Sequence, residues 1–114
     1  MLLNEKDKSY LWDIEDASKD IISFLENTTF HEFSGNKMKR FAVERQLIVV
    51  GEAANHLSRA CTENNPHLPW KLIIGLRNII AHEYGEILVE RIYKIAKENV
   101  PELKENISNL LNAR

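Results

Sequence analysis

Residues 42–54, Ala42-Val43-Glu44-Arg45-Gln46-Leu47-Ile48-Val49-Val50-Gly51-Glu52-Ala53-Ala54, decide the fold class. Within and beyond this stretch Val43, Leu47, Val50, Ala54, Leu57 and Cys61 recur at alternating four- and three-residue steps, the period of one helix face. Ala42, Val49, Ala53 and Ala60 make a parallel stripe of smaller residues one position away. A helix on a globular surface needs an apolar face only about 100° wide. The wider arc implies burial on two sides, against the protomer's own core and against a second copy. A central helix in a monomeric bundle satisfies the periodicity equally well. Asn36 has the side chain of an N-cap, so the expected helix runs from there to about Glu63.

Working outward, Tyr10, Leu11, Ile14, Ala17, Ile21, Phe24 and Leu25 place an earlier helix between Lys6 and about Glu26. Asn27-Thr28-Thr29 ends it, and Ser34-Gly35-Asn36 lies in the connection. On the other side Asn64-Asn65-Pro66-His67-Leu68-Pro69 is a loop, with Pro69 suited to a first helical position. A third helix is expected from Trp70 to about His82, stopped near Gly85. A fourth, from about Ile87 to Glu98, aligns Leu88, Ile92, Ile95 and Ala96. Pro101 lacks an N–H and clashes inside a helix, so a break or kink belongs there before a terminal helix carrying Leu103, Ile107, Leu110 and Leu111. No run alternates with period two. The expected fold is all-α, an antiparallel bundle of four to five helices in one domain spanning 1–114.

Composition narrows the function classes. With 44% hydrophobic and 28% charged residues, the chain is neither disordered nor fibrous. A net charge of −2 supplies no bulk basic surface, so any grip on nucleic acid must come from a local cluster, doubled by dimerisation. The first residues lack the basic and apolar regions of a signal peptide, and the longest apolar run, from Leu47 to Gly51, falls far short of a membrane span. Cys61 is the single cysteine and makes no intrachain disulfide. A cytoplasmic protein is expected.

The chemistry gathers in Leu76-Arg77-Asn78-Ile79-Ile80-Ala81-His82-Glu83-Tyr84. With six arginines and four histidines in the chain, a bare Arg-x4-His spacing is weak evidence. Taken alone, Arg77 reads as a solvated helix residue and His82 as a cap suited to the helix dipole. Arg77 and His82 sit roughly 140° apart around an ideal helix, so they converge only at a helix end or across a symmetry axis. Asn78 and His82 share a face, where Asn78 can bond the imidazole or a phosphate oxygen. These groups suit RNA cleavage by the neighbouring 2′-hydroxyl: histidine moves protons near neutral pH, and arginine presents a planar fork of donors to phosphate. The reaction calls for no metal or other cofactor, and His31, His56 and His67 are scattered. Cys61 on an apolar stripe reads as core. Glu52, between two apolar stripes, reads as a structural acid ahead of a contact near the cleft. Trp12 and Trp70 read as packing residues ahead of base-stacking ones. Lys37, Lys39, Arg40 and Arg45 form a modest basic patch whose default is a solvated face.

The segment around Arg77, Asn78, His82 and Tyr84 resembles the Arg-x4-His-x-Tyr signature of the HEPN superfamily, specifically the HepT-like toxins. Ala42-Val43-Glu44-Arg45-Gln46-Leu47 with Gly51-Glu52-Ala53 is similar to the family's second helix, Leu68-Pro69-Trp70 to its lead into the catalytic helix, and Val100-Pro101-Glu102-Leu103 to its C-terminal segment. Gly85-Glu86-Ile87-Leu88 departs from relatives, which often have an aromatic and an aspartate there. The resemblance implies a homodimeric, metal-independent ribonuclease toxin of a type VII toxin–antitoxin pair. Its RNA cleft would lie at the dimer interface, with Arg77 and His82 catalytic and Asn78 and Tyr84 supporting. It also implies a partner, a MntA-like nucleotidyltransferase antitoxin that neutralises the toxin by AMPylation of Tyr84; higher hetero-oligomers with that antitoxin are compatible with it. The competing class is a non-catalytic HEPN module that docks a nucleotidyltransferase or binds nucleotides.

Overall fold

A computed structural model describes residues 3–113. Helix α1 (Glu5–Phe24) is followed by a single turn-and-a-half, α2 (Phe30–Gly35), and by the long α3 (Lys37–Asn55). A short α4 (Arg59–Glu63) leads to α5 (Trp70–His82), α6 (Gly85–Lys94), a π-helical turn (Ile95–Asn99) and α7 (Val100–Asn112). The described residues contain no strand.

Side-chain contacts fix the directions. Gln46 donates to Asp20 at 2.8 Å while the Tyr10 and His56 rings stack 5.2 Å apart, so α1 and α3 run antiparallel. Ser108 donates to Glu15 at 2.6 Å and Lys97 to the Leu25 carbonyl at 2.9 Å, which sets the α7 segment antiparallel to α1. The fold is an all-α bundle, as the periodicity predicts. Leu11, Ile14, Ala17 and Ile21 of α1 meet Val43, Leu47, Val50 and Ala54 of α3 and Ile92, Val100, Leu103 and Ile107 in one continuous core. Fully burying one such aliphatic side chain stabilises by roughly 1.5–3 kcal/mol.

The second long helix is shorter than expected. Instead of running to Glu63, α3 stops at Asn55, although Leu57 and Cys61 remain buried as the stripe requires. The cause is a distant contact. Asp7, itself buried in α1, accepts from the Ser58 amide at 2.9 Å and from the Ser58 hydroxyl at 2.6 Å. Ser58 in turn caps α4 by accepting from the Cys61 amide at 3.1 Å. Committing both groups of Ser58 to these bonds stops the chain from continuing α3's helical ladder. The connection after α1 is also more ordered than a loop. Thr29 and Glu32 form a reciprocal capping box at the start of α2. Those hydrogen bonds hold the Glu32 carboxyl below its usual range. Asn36 caps α3 as expected, accepting from the Lys39 amide at 3.0 Å. Pro69 is the cap residue of α5, one position before the helix begins. Gly85, with φ +73°, opens α6 and does not itself stop α5, whose last residue is His82.

Gly51 places α3 on α5. A Cβ built there would sit 2.9 Å from the Ile73 carbonyl oxygen, so only glycine lets the two backbones cross this closely. Beside the crossing, α3 keeps an outward stripe of Met38, Phe41, Arg45, Ile48, Glu52 and Asn55, spaced by three and four residues. None of these six is buried, and Met38 and Phe41 are 85% and 53% exposed.

Candidate functional site

Below the Gly51 crossing, one turn along α5 from Ile73, Arg77 meets α3. Its Nη1 donates to Glu52 Oε1 at 2.9 Å, an ion pair open to solvent. Gly51, Glu52, Asn55, Ile74, Arg77 and Asn78 together line a cleft of about 260 Å³ between the two helices. Arg77 and Asn78 thus share one cleft. His82 and Tyr84 do not line it. His82 is the exposed last residue of α5, and Tyr84, in extended backbone between α5 and α6, is 80% exposed. No hydrogen bond joins Asn78 to His82, and the side chains of Asn78, His82 and Tyr84 have no hydrogen-bond partner among the described residues. Within one protomer, then, the four residues form a cleft and a separate exposed helix end.

The segment between His82 and Tyr84 is tied down by its middle residue. Glu83 pairs with Arg91 of α6, and the second carboxylate oxygen of Glu83 is buried without a donor. This clamp spans the α5–α6 junction and fixes the backbone that carries both the imidazole and the phenol. Sequence reasoning did not single it out, because an eight-residue separation across a helix junction has no local signature.

Other candidates resolve clearly. Cys61 is 4% exposed, and burial pushes its thiol above the usual range, which suits a core residue. Trp70 is half-buried with its indole N–H on the Asn65 carbonyl at 2.9 Å, a packing role. Trp12 is 55% exposed and does not pack in the core of the protomer. The basic patch is partly spent on the fold. Lys39 donates to the Thr28 hydroxyl at 3.1 Å, Arg40 to the Ser34 carbonyl, and Lys37 lies over the Phe41 ring. Glu52, read from sequence as a structural acid, is instead a half-exposed member of the cleft bound to Arg77. Its sequence signals are its place beside Gly51 at the seam of two apolar stripes and the likeness of Gly51-Glu52-Ala53 to the family's second helix. Among the described residues no three His, Cys, Asp or Glu side chains are placed to hold a metal ion, and no helix is long and apolar enough to cross a membrane.

The model of the family described as "Ribonuclease HepT-like" matches residues 14–110, which takes in α3, the cleft and the His82–Tyr84 junction. The chain belongs to the HepT-like family. Among its relatives, "Putative RNase MJ1380" of Methanocaldococcus jannaschii is 40% identical over 100 residues, covering 88% of this chain and 92% of that protein. "Putative RNase MJ1216" of the same organism is 34% identical over 104 residues, 91% of this chain and 86% of that protein. "Probable ribonuclease HepT" of Thermococcus cleftensis is 32% identical over 103 residues, 90% of this chain and 94% of that relative. No solved structure gives a significant match. The likeness to these HepT-like proteins extends over nearly the whole chain, and not only the nine-residue motif.

Proposed function

We propose that this HepT-like chain is a metal-independent RNA endonuclease, the toxin of a type VII toxin–antitoxin pair. The observation that carries it is the placement of Arg77 and Asn78 in an open cleft on the same helix whose exposed end presents His82 and Tyr84. Membership of a family described as ribonuclease HepT-like supports the same reaction. In that reaction a base takes the proton of the 2′-hydroxyl, the 2′ oxygen bonds to phosphorus, and the bond from phosphorus to the 5′ oxygen breaks. An acid then protonates the departing 5′ oxygen, leaving a 2′,3′-cyclic phosphate and a 5′-hydroxyl. His82 exchanges these protons. Arg77 offsets the charge on the crowded phosphorane, and Asn78 holds a phosphate oxygen.

One protomer leaves Arg77 and His82 in separate places and offers a single imidazole where the reaction needs a base and an acid. A homodimer answers both needs. The outward α3 stripe from Met38 to Asn55 ends at the Glu52–Arg77 pair, and a second copy seated on it would bring a second Arg77 and His82 to a shared groove for RNA. Tyr84 positions the substrate. Its exposed phenol is also the acceptor for AMP from a MntA-like nucleotidyltransferase antitoxin, and the added negative charge would repel an RNA backbone. The homodimer acts in the cytoplasm.

Incubating purified protein with RNA in excess EDTA tests the proposal. Cleavage to cyclic-phosphate ends, lost in Arg77→Ala, is the expected result. In sedimentation the protein runs as a dimer, and Phe41→Asp yields inactive monomers. Folded wild-type protein that leaves RNA intact overturns the nuclease reading and favours a docking module. A fully active monomer overturns the shared groove. Incubation with the nucleotidyltransferase and ATP should add AMP to the wild type and none to Tyr84→Phe.

A further inference from the structure

Inside the cleft Arg77 makes an ion pair with Glu52 to which the proposed reaction assigns no role. A carboxylate beside a phosphate-binding arginine opposes binding of RNA, since like charges repel. Such a group needs a compensating role. Arg77 is 69% exposed at the side chain, and a long, flexible cation in that setting samples many rotamers. Only its Nη1 is engaged, at 2.9 Å, while Nε and Nη2 have no partner among the described residues. A guanidinium has five donors, so one bond to Glu52 narrows the rotamers it samples and leaves donors for two phosphate oxygens. The register that makes this contact is built into the backbone. Gly51 admits the Ile73 carbonyl, and the next residue on α3 then faces the residue one turn further along α5.

We infer that Glu52 is the positioning residue for Arg77, holding the guanidinium plane across the cleft at some expense of substrate affinity. The inference rests on the ribonuclease reading given above. It sets apart two parameters that a simple binding contact would move together. Removing Glu52 lowers kcat because the arginine is no longer held where charge develops. KM stays the same or falls, because a repelling charge has gone.

Steady-state cleavage by wild type, Glu52→Gln and Glu52→Ala tests this, with circular dichroism to confirm the helical fold of each. Gln keeps a carbonyl acceptor at the same reach and Ala keeps nothing. Misplaced catalytic groups cost up to about a hundred-fold, so the Ala variant should lose roughly ten-fold or more in kcat with Gln intermediate. KM in both should be no higher than in wild type. An Ala variant with wild-type kcat overturns the positioning role and leaves the nuclease reading standing. So does a variant whose KM rises while kcat holds, the mark of a group that merely binds substrate. Wild-type protein without activity on RNA overturns both.

Discussion

The two ends of α5 are built on opposite terms. At the first end Ile73 and Leu76 are buried, the Ile73 carbonyl presses on Gly51, and Arg77 is paired across to α3. At the other end His82 and Tyr84 are exposed, Ile87 of α6 is 71% exposed, and the junction between the two helices carries the Glu83–Arg91 clamp. One end is finished within the protomer. The other holds its chemistry outward on a short tether, the arrangement expected where a second molecule completes the site. Packing against α3 and the outward display of His82 are thus separated along the 13 residues of one helix.

The largest effect is expected at the exposed end. His82→Ala should lower RNA cleavage by about 10²–10⁴-fold, the usual contribution of a general acid or base. Its urea unfolding midpoint should match wild type, because the imidazole is exposed and unbonded. A large stability loss would show instead that this end is packed. At the buried end, Gly51→Ala forces the α3–α5 crossing apart and should cost about 1–3 kcal/mol in urea denaturation, as overpacked cores do. An unchanged midpoint would mean that the crossing yields freely. Arg91→Ala removes the clamp. A partly exposed ion pair of this kind contributes about 0.2–1 kcal/mol, so the stability change should be small. Exchange of the Glu83 amide, which donates to the Ile79 carbonyl, should nevertheless quicken, and unaltered exchange there would show that the pair does not hold the junction.

Far from both ends, Glu44 offers the smallest effect. Burial raises its carboxyl above the ordinary range, against the opposing pull of Arg40. The native state therefore holds that proton more firmly than the unfolded chain does. Stability from this group is present below the unfolded pKa and declines as pH climbs through the folded one. Glu44→Gln should flatten the decline. Identical pH profiles of the unfolding midpoint in both proteins would discard this.

Local periodicity is enough to read most of the helices. The stripe from Val43 to Cys61 names the buried residues of α3 and α4, and Trp70 to His82 are the bounds of α5. What it cannot show is where a stripe changes helix. The break after Asn55 depends on Asp7 reaching Ser58 across 51 positions, and nothing near Ser58 foretells that acceptor. Thr29 and Glu32 do carry a capping signature, yet six residues between two long helices read as mere connection. The site divides the same way. Arg77, Asn78, His82 and Tyr84 stand out because polar groups interrupt an apolar run, whereas Glu52 gains its meaning only from the α3–α5 crossing.

The π-helical turn at Ile95–Asn99 has a consequence for rotation. It absorbs one residue more than an α-helical turn would, just before Pro101. Each residue of an α-helix advances the azimuth by about 100°. By taking up the extra residue the wide turn cancels that advance, and Leu88 and Ile92 upstream and Leu103 and Ile107 downstream are all buried. Excising one residue from the turn should therefore leave an ordinary α-helical turn and the same apolar seam, whereas excising one from within α7 would swing the residues beyond it through roughly a quarter-circle and expose that seam.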